Sequence, residues 1–268
     1  MILNETFTLY NGVEIPKVGF GTWQIKDGDL CVNSCLEALK AGYVHIDTAE
    51  AYGNEASVAK AIMLSKIKRS DIFITSKLPS HIKTYEEAKK HIDESLERLN
   101  TDYIDLYLIH APWPWSEIGK DCKKGNIEVW RAFEEAYLEG KLRSIGISNF
   151  NVDDMENLLS HCMIKPMVNQ IEFHIGHTLD EDVLYCKEHG ILVEAYSPIQ
   201  TGKLLNKIDI LNIANKYKKT VAQICIRYCL QKGTLPLPKS QTKDHIISNT
   251  DLDFEISEED ILYLDRVK

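Results

Sequence analysis

Residues 72–111 read IFITSKLPSHIKTYEEAKKHIDESLERLNTDYIDLYLIHA. An apolar run, Ile72–Leu78, gives way to a segment whose apolar residues Tyr85, Ala88, Ile92, Leu96 and Leu99 recur at helical spacing. A second apolar run follows at Tyr103–Ala111. Both runs are apolar on consecutive residues rather than alternating, the pattern of parallel strands covered on both faces. Thr84 and Glu87 stand at capping-box spacing just ahead of the helical stretch. The segment therefore reads as strand–helix–strand, one βα unit and the start of the next.

The same unit repeats in both directions. Further candidate strands are Val18–Thr22, Val44–Ala49, Ile145–Asn149, Met167–Phe173, Leu192–Ile199 and Thr234–Lys239, which with the two above makes eight. Their starts advance by about 31 residues, the scale of a βα unit. Cys31, Val32, Cys35, Leu36 and Leu39 form another apolar helical stripe, and Thr178/Glu181 and Thr220/Gln223 repeat the capping-box spacing. Gly42, Gly140 and Gly190 fall where helices need a left-handed terminator. Eight such units predict an α/β fold, a single (β/α)8 barrel domain over residues 1–268. Ahead of the first strand, Phe7–Ile15 alternates around Asn11-Gly12, which predicts a hairpin with a type I′ turn closing the bottom of the barrel. A doubly wound sheet is the rival fold, but Gly19-Phe20-Gly21-Thr22-Trp23 lacks its third glycine and its helix start.

Composition narrows the function. Forty acids against 31 Lys and Arg give a net charge of −9, which argues against a nucleic-acid partner. Ile210–Lys243 nevertheless has no acid and seven cations: Lys216, Lys218, Lys219, Arg227, Lys232, Lys239 and Lys243. Such a tract is either a solvated face or an anionic small-molecule site. Met1-Ile2-Leu3-Asn4-Glu5 has neither a basic region nor a long apolar stretch, so no signal peptide is expected, and no apolar run is long enough to predict a membrane span. The seven cysteines include no CxxC pair. They read as reduced, buried thiols in a cytoplasmic protein, with no metal site.

In a barrel, the C-terminal ends of the strands converge on one mouth. Here they carry Asp47 with Tyr52 one loop later, Lys77, His110, Ser148-Asn149, Asn169-Gln170, Tyr196-Ser197 and Lys239-Ser240. Each alone is weak, since an Asp–Lys pair or a lone His is often structural. Together, Asp47, Tyr52, Lys77 and His110 form a proton-transfer set. An ammonium beside a phenol lowers its pKa, a carboxylate holds the ammonium, and a neutral imidazole orients a substrate oxygen. The set suits protonation of a carbonyl oxygen while a nucleophile reaches carbon. His45, on the strand of Asp47, is expected to face away from it, into the layer between barrel and helix.

At these segments the chain resembles the aldo-keto reductases. The match runs through Gly19–Trp23, Gly42–Glu55, Ile74–Leu78, Asp105–His110, Ile145–Phe150, Asn169–His174, Ala195–Pro198 and Leu237–Ser240, in order across all eight units. The resemblance implies reduction of aldehydes or ketones by hydride transfer from NADP(H), with Tyr52 as general acid, Lys77 and Asp47 tuning it, and His110 orienting the carbonyl. It places Ser148, Asn149 and Gln170 on the nicotinamide carboxamide, Tyr196 on the nicotinamide ring and Thr22 alongside, with Ser197 also on the cofactor. It places Lys239 and Ser240 at the adenosine 2′-phosphate and Asn249 beyond them. Trp23 and Trp113 are expected to wall the substrate pocket.

Two departures from the family pattern carry predictions. His245 stands where many relatives have an Arg, and Ser248 where they have an acid, so a weaker preference for NADPH is predicted, with NAD(H) accepted as well. After His110, Ala111-Pro112-Trp113-Pro114-Trp115 replaces the common Trp-Pro, and Trp113 or Trp115 is expected to fold back and supply the missing wall. A monomer is expected, with a small carbonyl compound as its partner. The rival reading within the fold is a cofactor-sensing regulatory barrel. A phosphosugar enzyme would need a glycine-rich loop that Pro238–Thr242 does not offer.

Overall fold

In the computed structural model, which describes residues 1–267, β1 (Thr6–Thr8) and β2 (Glu14–Pro16) form an antiparallel pair, and eight further strands form one parallel sheet. These are β3 (Phe20–Gly21), β4 (His45–Asp47), β5 (Phe73–Leu78), β6 (Leu106–Ile109), β7 (Ile145–Ser148), β8 (Val168–Glu172), β9 (Leu192–Tyr196) and β10 (Leu235–Leu237). They pair in chain order. The amides of Gly19 and Gly21 donate to Pro236 O and Pro238 O at 3.1 and 3.0 Å, joining the first strand to the last. The (β/α)8 barrel predicted from the periodicity is the observed fold, each candidate strand containing one barrel strand.

The helices are α1 (Asp29–Lys40), α2 (Glu55–Ser65), α3 (Tyr85–Leu99), α4 (Lys123–Leu138), α5 (Val152–Leu159), α6 (Asp180–Glu188), α7 (Ile208–Tyr217), α8 (Val221–Gln231), α9 (Lys243–Ser248) and α10 (Glu258–Leu264). The apolar stripes of α1 and α3 bury Cys31, Val32, Cys35 and Leu39 and Ala88, Ile92 and Leu99. Thr220 and Gln223 make the reciprocal capping box, and Thr84 accepts from the Glu87 amide. Thr178 caps nothing: α6 starts one residue later than its spacing required, after Leu179 in a left-handed conformation with φ 44°. None of these helices is long and apolar enough to cross a membrane.

The hairpin covers the N-terminal face, because Tyr10 OH donates to Lys165 O and Asn11 Nδ2 to Arg143 O, just ahead of β8 and β7. Its turn differs from the predicted type I′. Gly12 N donates to Leu9 O and Leu9 N to Val13 O, and only Gly12 has positive φ, at 83°. That is a three-residue loop with a glycine bulge. Asn11 spends its side chain on Val13 N and on Arg143 O, which keeps it out of the left-handed region that type I′ requires.

Candidate active site

The C-terminal ends of the strands open onto a cavity of 770 Å³. A separate cavity of 490 Å³ lies beside the hairpin, lined by Lys17, Arg227 and Asp253, and holds none of the predicted site residues. At the foot of the larger one, neighbouring strands β4 and β5 carry Asp47 and Lys77 into the barrel. Lys77 is fully buried and its Nζ donates to both Asp47 oxygens at 2.8 Å, to Thr48 O at 2.9 Å and to Tyr52 OH at 3.2 Å. Tyr52 ends a single 3₁₀ turn, Glu50–Tyr52, that Gly53 terminates at φ 66°. That conformation penalises any residue with a Cβ. Buried Asn54 fixes this loop: Nδ2 donates to Thr22 O and Ile25 O, and Oδ1 accepts from Thr48.

Burial would depress the Lys77 ammonium, but Asp47 and then Tyr52 outweigh it and its pKa is raised. The phenol of Tyr52 goes against the sequence expectation. Burial raises its pKa, and although the Lys77 charge opposes this, the net direction is up. Burial is the largest cause, and Asp47 offsets part of the lysine's field. Tyr52 is thus a firmly protonated phenol in contact with a firmly charged ammonium. His110 stands across from it, ring centroids 5.5 Å apart. Burial, then the Lys77 charge, push its pKa down to about 3. The imidazole is neutral, and since Nδ1 is buried without a partner, Nε2 is the nitrogen open to the cavity.

Above this floor, Ser148 Oγ donates to Gln170 O, Asn149 Oδ1 accepts from Tyr196 OH at 2.8 Å, and Asn149 Nδ2 donates to His110 O. Ser148, Asn149, Gln170, Tyr196, Ser197 and Lys239 all line the cavity. Thr22 does not. It is buried, its amide and hydroxyl both on Asp47 O, and Gly21 and Trp23 line the wall on either side. Trp113 is not in the lining either. Its ring packs 4.9 Å behind that of Trp115, and Trp115 takes the pocket position, edge-on to His110. Ser240 and Asn249 lie outside the lining, and His245 is exposed on α9.

Four of the seven cations in the acid-free tract pair with acids. Lys216, Lys219, Lys232 and Lys243 pair with Asp260, Asp251, Asp265 and Glu37. Lys239 has no carboxylate partner among the described residues and faces the cavity. Elsewhere Glu50, His91 and Glu94 come together, but Arg98 pairs with Glu50 at 2.9 Å and already supplies the positive charge there.

Two features lay beyond the sequence reading. His45 is two residues from Asp47, so the strand's alternation puts both on one face. It lies inside the barrel, Nε2 hydrogen-bonded to Thr75 Oγ1, and its expected place outside is corrected. Glu194 is fully buried in the same interior. Burial, then the Asp47 charge, push its carboxyl up to about 8. An acid in the middle of Ile191-Leu192-Val193-Glu194-Ala195 was the available signal.

Residues 17–268 match the model of the Aldo/keto reductase family. The glyoxal reductase of Bacillus subtilis is 45% identical over 266 residues, covering 99% of this chain and 93% of the relative. The 9,11-endoperoxide prostaglandin H2 reductase of Trypanosoma cruzi is 38% identical, covering 97% and 90%. Among solved structures, an aldo/keto reductase of Brucella melitensis superposes with TM-score 0.91 at 44% identity, covering 97% of this chain and 98% of that one. A Bombyx mori aldo-keto reductase in complex with NADP gives 0.87 at 34%, covering 97% and 92%.

Proposed function

The chain belongs to the aldo/keto reductase family, and from that premise we propose that it reduces small neutral aldehydes and ketones to alcohols with NADPH, Tyr52 giving the proton. The observation that carries this reading is the contact chain Tyr52–Lys77–Asp47 at the foot of a cavity beside a neutral His110. The glyoxal reductase relative makes glyoxal and methylglyoxal the first substrates to test. A neutral carbonyl suits the lining, where Asp47 and Glu172 are the acids and Lys239 the cation among the described residues.

The residues fit a dinucleotide phosphate. Among the described residues Gln170 Oε1 has no protein partner and Lys239 in the cavity lining has no carboxylate partner, and the Tyr196 ring is held by its tied hydroxyl. Ser148, Asn149 and Gln170 would hold the nicotinamide end with Tyr196 and Ser197. Lys239, together with Ser240 and Asn249 outside the cavity lining, would hold the adenosine end. A bound reduced nicotinamide supplies the hydride. His110 Nε2 donates to the substrate oxygen and orients it. As negative charge builds on that oxygen, Tyr52 OH gives up its proton, and the Lys77 ammonium stabilises the phenolate left behind. Asp47 keeps that ammonium charged. His245 in place of Arg supports use of NADH alongside NADPH. The seven cysteines, none of them in a CxxC pair, support a reducing cytoplasm, and the chain is taken to act as a monomer.

Consumption of NADPH and NADH against methylglyoxal, short aldehydes, aryl aldehydes and keto-sugars tests the reading. Tyr52→Phe is expected to lower kcat by about a hundredfold or more with cofactor binding retained. Turnover near wild type in that variant would overturn the mechanism. Tight NADPH binding without turnover on any of the panel would favour the sensor reading instead.

A further inference from the structure

Beneath the Tyr52 cluster the barrel interior is polar. β8 and β9 pair Gln170 with Glu194, and the two side chains meet inside the barrel. Gln170 Nε2 donates to Glu194 Oε2 at 2.8 Å and to Asp47 Oδ2 at 2.9 Å. A nitrogen placed between the Asp47 carboxylate and the Glu194 carboxyl uses both of its hydrogens there, and turning the amide round would set its carbonyl against the Asp47 carboxylate. Asp47 belongs to Lys77, which it binds through both oxygens. Glu194 has no such partner. Among the described residues its Oε1 makes no hydrogen bond, and the nearest cation-forming atom, His45 Nε2, is 4.0 Å away and hydrogen-bonded to Thr75. A fully buried carboxyl group with one hydrogen bond is costly to keep, and that one bond is to Gln170.

We propose that Glu194 is a positioning residue for the cofactor: it takes the second hydrogen of the Gln170 amide, fixes the plane of that amide, and commits Gln170 Oε1 to the cavity as an acceptor for the N–H of a nicotinamide carboxamide. The inference rests on the nicotinamide reading above. Asp47 alone would leave the amide free to swing about a single hydrogen bond, and the carbonyl would lose its aim.

The probe is a pair of cofactors that differ only at this contact. NADP+ carries the carboxamide, whereas its 3-acetylpyridine analogue has a methyl ketone and no N–H to give. Dissociation constants are read from quenching of tryptophan fluorescence, Trp23 and Trp115 lining the cavity, so turnover is not needed. Wild type is expected to prefer NADP+ by about tenfold or more, the loss that follows when a buried acceptor goes unpaired. Glu194→Leu is expected to shrink that preference to within about threefold. Glu194→Gln keeps an oxygen in reach of Gln170 Nε2 and is expected to stay within about twofold of the wild-type ratio. Glu194→Ser accompanies the leucine variant in case the latter does not fold.

Equal binding of the two cofactors by wild type would overturn the proposal, and that measurement involves no variant. So would a leucine or serine variant that keeps the wild-type ratio, or a glutamine variant that loses it. A wild type that binds neither cofactor would refute the nicotinamide reading itself, a result distinct from the others.

Discussion

Replacing Glu194 by Gln should change how the stability of the barrel depends on pH. The Glu194 carboxyl is pushed from 4.5 up to about 8, first by burial and then by the Asp47 charge, with the Gln170 hydrogen bond and the Lys77 charge opposing. The folded chain keeps this proton while the unfolded chain releases it near 4.5. Its contribution is therefore fully present below that pH and is lost as pH rises through about 8. The interval corresponds to on the order of 5 kcal/mol, at about 1.36 kcal/mol per pH unit. His45 and His110, both pushed down to about 3, act in the opposite sense, because they stay neutral in the fold where the unfolded imidazoles would charge. Wild type alone mixes these effects, but the difference between wild type and Glu194→Gln isolates the one group. That difference is expected to move by about 2 kcal/mol in favour of the variant between pH 6 and pH 8. Equilibrium urea unfolding of both proteins at the two pH values measures it. Parallel shifts of the two midpoints would refute the assignment of a proton to this buried acid.

Other outcomes follow from the same geometry. His245→Arg, on the exposed face of α9, should raise the NADPH-over-NADH ratio of kcat/KM by about tenfold through a bidentate phosphate contact, and an unchanged ratio would remove this position from cofactor choice. Trp115→Ala should raise KM for aryl aldehydes by about tenfold, with a smaller effect for Trp113→Ala, whose ring lies behind the wall; steady-state kinetics on both variants decides the order. Asp105 accepts from Arg69, Arg143 and the Ile74 amide while almost wholly buried. Asp105→Ala should cost about 2–3 kcal/mol by urea unfolding, part of the loss being spared because both arginines can reach water.

How much of this was legible beforehand depended on the range of the forces involved. The eight strands and the grouping of Asp47, Tyr52, Lys77 and His110 follow from periodicity and from barrel geometry, which any sequence of this pattern must obey. The hairpin turn was misread because the competing demand on Asn11 comes from Arg143, far along the chain. Thr178 had the right spacing, but the chain enters α6 through a left-handed Leu179. The phenol of Tyr52 could not be signed from its neighbours' charges, since burial is a property of the assembled barrel. Trp113 and Trp115 are two apart, and which one faces inward is settled by loop packing. Glu194 left a trace in the sequence, an acid in an apolar run, but its partner Gln170 is known only from the register of β8 against β9.

The seam between first and last strands bears on how the chain comes to be folded. β3 is two residues long, and its outer edge is satisfied by the carbonyls of Pro236 and Pro238. During synthesis that edge waits for more than two hundred residues to emerge before its partner exists. The hairpin waits too, for the carbonyls of Arg143 and Lys165. Early segments thus depend on late ones, a wiring that slows assembly and leaves nascent chains open to association. An edge offering so few amides is a poor template for a stray strand, so brevity at β3 protects the unfinished barrel while it waits.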